Sequence, residues 1–197
     1  MNKSFAPIQT RPLSADATVL RCDGVLAPRV TPESPADRAM TDLRKVPAVT
    51  ATAEMQADEA LQRMIHAGVR LLLVVDGRDS VKGVVTARDI MGERPVKAAQ
   101  DEGIPRDAVQ VKHVMSKVSE LEAINLDKVE HSRVGDVVET LKKSGRQHAL
   151  VVTSLDGGGE AVCGLFSATQ VGRQLGVEVS PEGPAQTFAE LERSLAS

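Results

Sequence analysis

Residues 71–91 read Leu71-Leu72-Leu73-Val74-Val75-Asp76-Gly77-Arg78-Asp79-Ser80-Val81-Lys82-Gly83-Val84-Val85-Thr86-Ala87-Arg88-Asp89-Ile90-Met91. Five apolar residues in succession, stopped by Asp76-Gly77, predict a strand buried on both faces. The loop Asp76–Ser80 turns the chain back into Val81–Thr86 as a hairpin partner, and Ala87-Arg88-Asp89-Ile90-Met91 then opens a helix. Upstream, Ala57, Ala60, Leu61, Met64 and Ile65 share one helical face, Asp58 and Glu59 suit the positive end of that helix, and Gly68 is its stop. The unit is helix, strand, strand, helix.

The same order returns in the second half of the chain. Val134, Val137, Val138 and Leu141 form a helical face, Gly145 is the stop, and Ala149-Leu150-Val151-Val152 is the strand. Val74-Val75 maps onto Val151-Val152 at an offset of 77, Gly83 onto Gly164 at 81 and Met40 onto Met115 at 75, the drift being loop length. Part of that length is Gly157-Gly158-Gly159, which lacks the Lys-Ser/Thr of a phosphate-binding loop and reads as a hairpin turn. Before the repeats, five of the ten prolines fall within the first 36 residues and predict an extended arm, in which Thr18–Cys22 supplies one further strand. After them, Thr187-Phe188-Ala189-Glu190 has capping-box spacing, and Phe188, Leu191 and Leu195 predict a short terminal helix that covers its own domain or meets a second subunit.

Composition narrows the function. The chain has 197 residues, 42% hydrophobic and 26% charged, which is globular, and 24 basic against 27 acidic residues give a net charge of −3 that offers no field for a nucleic-acid backbone. Three phenylalanines are its entire aromatic content, so platforms for stacked bases or sugar faces are missing. Cys22 and Cys163 lie far apart and are expected as free thiols, and the start shows no apolar leader, so a cytoplasmic protein without a membrane span is expected. His66, His113, His131 and His148 are separated by 47, 18 and 17 residues, none a metal-ligand spacing. Nucleophile and zinc-hydrolase motifs are lacking, so a non-enzyme with neither metal nor resident cofactor is expected.

Chemistry concentrates at Gly83–Asp89, where a buried strand ends in a hydroxyl and a helix carries a carboxylate three residues later. Thr86 and Asp89 are explained by an N-cap with a capping-box-like return bond. They equally place a hydroxyl, free helix-start amides and a carboxylate around one cleft, which suits phosphate and ribose, with Arg88 as a cation beside the phosphate.

These features together resemble a tandem pair of cystathionine-β-synthase (CBS) domains, the Bateman module, over residues 37–177: Met40-Thr41 and Val114-Met115-Ser116 ahead of the two motifs, the strand that follows Gly68, and the Gly83–Asp89 signature. The resemblance implies a mixed α+β fold of two β-α-β-β-α repeats packed about a pseudo-twofold axis, divided as an extended arm at 1–36, repeats at 37–100 and 101–178, and a tail at 179–197. It implies a regulatory module that binds an adenosine-containing ligand (AMP, ADP, ATP or S-adenosylmethionine) between the repeats, forms a disc-like homodimer and acts on a partner protein in trans. The alternative is a ligand-free assembly module. Carried over by position, Thr86 and Asp89 match the phosphate and ribose residues, Arg70 and His148 become anion contacts, and Val49 and Ala51 match the strand edge that lines the adenine pocket. The second signature keeps a hydroxyl at Ser167 but has Gln170 where the ribose carboxylate belongs, so one ligand per chain is expected.

Overall fold

The computed structural model describes residues 29–180; the arm through residue 28, the strand expected at 18–22 and the helix expected at 187–195 lie outside them. A 3-10 turn at Ala36–Ala39 leads into β1 (Thr41–Asp42). The first unit follows as β2 (Thr50–Ala51), α1 (Ala57–Ala67), β3 (Leu71–Val75), β4 (Val81–Thr86), α2 (Ala87–Met91), α3 (Arg94–Glu102) and α4 (Val111–Val114). After β5 (Ser116–Lys117) the second unit runs β6 (Ala123–Asn125), α5 (Leu126–Glu130), α6 (Val134–Ser144), β7 (His148–Ser154), β8 (Glu160–Ser167) and α7 (Ala168–Leu175). The fold is mixed α+β, and each half carries the β-α-β-β-α order.

Gly68 and Gly145 close α1 and α6 in the left-handed conformation, at φ 66° and 64°, which a residue with a Cβ adopts only at a cost. Along α6 the expected face Val134, Val137, Val138 and Leu141 is buried. Along α1, Ala57, Ala60 and Met64 are buried, whereas Ile65, expected on the same face, is 61% exposed. Ile65 sits at the edge of the apolar stripe, where the helix leaves the sheet and borders a cleft.

Two four-stranded sheets form, in the orders β2-β3-β4-β5 and β1-β8-β7-β6. In each, the first strand of the repeat runs parallel to the second, and the second pairs antiparallel with the third. The register shifts at Val74/Val75 in β3 and at Val151/Val152 in β7, the same repeat position. Because successive strand side chains face opposite ways, Leu72 and Val74 enter the first core beneath α1 and α2, while Leu71 and Leu73 meet Val84 and Leu150 in a layer between the sheets. Val151, Phe166 and the α6 valines fill the core of the second unit. The order is helices, sheet, sheet, helices.

The fourth strand of each sheet is borrowed. β1 pairs with β8, Thr41 opposite Leu165, and β5 pairs with β4, Ser116 opposite Val84. Met40, Ala36 and Ala39 are buried in the second core, and Val109, Val111 and Val114 in the first. A division along the chain at residue 100 therefore does not coincide with the division by core, since each half lends its leading segment to the other. Gly83 and Gly164 make room for the loan: a Cβ at Gly83 would drive into the Ser116 carbonyl, and one at Gly164 would stand 2.6 Å from Met40 Sδ.

Candidate functional site

Thr86 ends β4 opposite Leu71 at the start of β3, and the Ala87 amide donates to the Arg70 carbonyl at 3.0 Å, which fixes the strand-to-helix corner. At that corner Thr86 caps α2. Asp89 N donates to Thr86 Oγ1 at 3.2 Å, and Asp89 Oδ2 accepts from Thr86 N at 2.9 Å and from Thr86 Oγ1 at 2.6 Å. The capping explanation of both residues thus holds as geometry. Asp89 Oδ1 faces Arg94 Nη1 at 3.1 Å, and the same guanidinium donates to the Val114 carbonyl at 2.8 Å.

These residues open on a cleft of about 830 Å³ between the two units, which brings together five of the expected site residues: Thr86, Arg88, Asp89, Arg70 and His148. Leu71, Val84 and Leu150 form its floor. The second unit contributes Gln147, beside His148, and also Leu121, Glu122 and Arg146, none of these last three singled out from sequence. Arg146 donates to the Glu120 carbonyl at 2.9 Å, and both residues line the cleft. With Arg70, Arg88, Arg94 and Arg146 against Asp89, Glu120 and Glu122, the walls carry one more cation than anion. His148 contributes no charge near neutrality: burial, and then the neighbouring Arg70 cation, push its pKa down to about 4 against the opposing pull of Asp89.

The pseudo-twofold relation generates a second cleft of about 810 Å³ around Ser167 and Gln170. The corner is built alike, with His148 opposite Ser167 and the Ala168 amide donating to the Gln147 carbonyl at 2.9 Å. The chemistry differs. Ser167 makes no side-chain cap, and Gln170 Oε1 instead accepts from Thr41 Oγ1 at 3.1 Å. Val49 lines this cleft and not the one at Thr86, because the first strand of one repeat abuts the signature of the other. Ala51, expected beside it, borders neither cleft: it is 2% exposed and packed in the first core. Arg70 and His148 border both clefts, and Arg70 donates to Thr169 Oγ1. Among the described residues no group of three or more His, Cys, Asp or Glu side chains is arranged to hold a metal ion, and no helix is long and apolar enough to cross a membrane.

The residues missed from sequence are mainly those of the opposite unit. The signal that finds them is the repeat itself: once Val49 is known to face the second signature, its counterparts at Leu121 and Glu122 must face the first.

The CBS domain family model matches residues 36–95. No curated protein matches the sequence. Among solved structures, an uncharacterized conserved protein from Pyrococcus horikoshii is similar at 20% identity with a TM-score of 0.51, over 72% of this chain and 92% of its own. A CBS-domain-containing protein from Agrobacterium tumefaciens is similar at 19% identity and 0.52, over 79% and 98%. CBSX2, a CBS-pair protein of Arabidopsis thaliana, solved in complex with AMP, is similar at 19% identity and 0.50, over 71% and 93%. At these identities the likeness is one of fold. The first repeat thus matches the CBS domain over residues 36–95, and the fold of both repeats, each with the β-α-β-β-α order, is the one these solved structures share.

Proposed function

We propose that this chain is a regulatory module, not an enzyme, that binds an adenine nucleotide in the Thr86–Asp89 cleft and reports its presence to a partner protein or to its own homodimer. The observation that carries this reading is the Asp89 carboxylate at a helix start together with four guanidinium groups against three carboxylates in all, drawn from both units and opening on one cleft with an apolar floor. Asp89 is 15% exposed at its side chain, and its Oδ1 is the acceptor for ribose hydroxyls once Arg94 swings out to solvent, where half of its side chain already lies. Thr86, Arg88, Arg70 and Arg146 then surround the phosphate, and a neutral His148 offers an N–H donor. Leu71, Val84 and Leu150 are the apolar surface for the base. A ligand that touches both units favours the arrangement in which both are within reach, and that differential affinity is the signal. AMP is the first ligand to test, because the similar CBSX2 was solved with it.

A second reading is a ligand-free assembly module. It is favoured by the saturation of Asp89 within the chain, where Thr86 and Arg94 take up both carboxylate oxygens.

Thermal unfolding of the full chain, followed with a reporter dye because Trp and Tyr are absent, separates the two. Under the nucleotide reading, AMP at a hundred times its Kd adds about 2.7 kcal/mol of stability, and Asp89→Asn abolishes the shift. Under the assembly reading no adenosine compound shifts the transition, and Asp89→Asn costs only a capping loss of about 1 kcal/mol.

A further inference from the structure

The second cleft is more than a degraded copy of the first. Its ribose-binding carboxylate is replaced by Gln170, whose carbonyl oxygen is engaged by Thr41. Among the described residues no Asp or Glu lines it, whereas Arg70 and Arg173 do. The first signature carries its cation on its own helix, at Arg88; the second has Thr169 at that position, and Arg70 reaches across from the other unit to bond with it. A guanidinium is thereby restored to the cleft that Ser167 also lines, with a hydroxyl that makes no cap bond.

The facing wall is apolar. Leu43, Val46, Pro47 and Val49 form it, with Ile65 at the rim. Val46 is 46% and Ile65 61% exposed, large aliphatic side chains left in water at the edge of this cavity. Burying them yields hydrophobic free energy that the fold alone does not collect. A volume of about 810 Å³ lies within the ordinary range of small-molecule sites.

We infer that the Gln170 cleft is a distinct ligand site for a small amphipathic organic anion, a carboxylate, sulfonate or phosphate on an apolar body, and does not take a ribonucleotide. The anionic group sits at Ser167, Arg70 and Arg173, and the apolar body covers Val46, Val49 and Ile65. A ribose finds no carboxylate there to accept from its two hydroxyls, and a bare inorganic ion leaves the apolar wall wet. This inference is independent of the nucleotide reading of the first cleft.

The test uses the full chain and two fluorescent probes that share an apolar body, 8-anilinonaphthalene-1-sulfonate, an anion, and N-phenyl-1-naphthylamine, its uncharged counterpart. The expected result is one sulfonate per chain, with the uncharged probe weaker by about tenfold or more, the size of a lost charge-assisted contact. Arg173→Gln weakens the sulfonate and leaves the uncharged probe unchanged, Ile65→Asp weakens both, and Asp89→Asn affects neither. Arg173 and Ile65 are exposed, so both variants fold, which their far-UV circular-dichroism melting checks. Sulfonate binding indifferent to both Arg173→Gln and Ile65→Asp, equal affinity for the two probes, or a second AMP per chain that disappears in Arg173→Gln would overturn the inference. A failure of AMP to bind anywhere bears on the first cleft alone.

Discussion

His148 stands where the two clefts meet, held neutral by burial and by Arg70, with its pKa pushed down to about 4 from the 6.5 of an unfolded chain. As pH falls below 6.5 the unfolded chain takes up a proton that the native state refuses, so stability declines with pH between about 6.5 and 4 and levels off below. Urea unfolding near pH 7.5 and near pH 5 should differ through this residue by about 2 kcal/mol, and His148→Gln should remove that part of the difference. Arg94 yields a prediction of opposite character. Its ion pair with Asp89 is half exposed and contributes little to stability, about 0–1 kcal/mol, yet under the proposed nucleotide reading it occupies the oxygen that would accept from a ribose. Arg94→Met should therefore tighten adenosine several-fold in calorimetric titration while leaving the melting transition nearly unmoved. Looser adenosine binding in this variant would mean that Arg94 holds the nucleoside instead of competing with it. Thr86 and Asp89 were legible as a pair because capping and ligand binding ask for the same three-residue spacing. Arg94 was not legible as their partner, because a side chain at the start of the following helix announces no target.

At the scale of elements, helices and long strands were readable wherever an apolar period ran for a turn or more, as in α6 and β3. The two-residue strands β1 and β5 were not, since two residues display no period, and their exchange between units is decided by what lies opposite them. The signature glycines record that exchange. At Gly83 an added methyl group meets backbone, the Ser116 carbonyl, and β5 must move; at Gly164 it meets the flexible thioether of Met40, which can shift. Gly83→Ala should thus cost about 1–3 kcal/mol, the range of an overpacked site, and Gly164→Ala clearly less. Chemical denaturation of the two variants measures both, and equal losses would contradict the assignment of backbone against side chain. The Gly83 variant should also disturb the first cleft, because Ser116 of β5 lies on its wall.

For the whole molecule, the internal repeat made the pair of units and their two clefts predictable, and Asp89 against Gln170 made their inequality predictable. That the clefts share a wall was hidden, since Arg70 follows a helix stop and nothing in its neighbours tells that it reaches to Thr169 in the other unit. The shared wall has a thermodynamic consequence. A phosphate in the first cleft competes for the same guanidinium that an anion in the second requires, so occupation of one should weaken the other. Saturating AMP is expected to raise the Kd of the anilinonaphthalene sulfonate by about three- to tenfold, and saturating sulfonate to raise the Kd of AMP by the same factor, as linkage demands. Arg70→Gln removes the common cation and should weaken each ligand alone while bringing the factor to unity. If coupling survives in Arg70→Gln, it passes instead through the apolar layer between the sheets, where Leu71 and Leu73 meet Leu150, and Leu73→Ala becomes the variant that abolishes it.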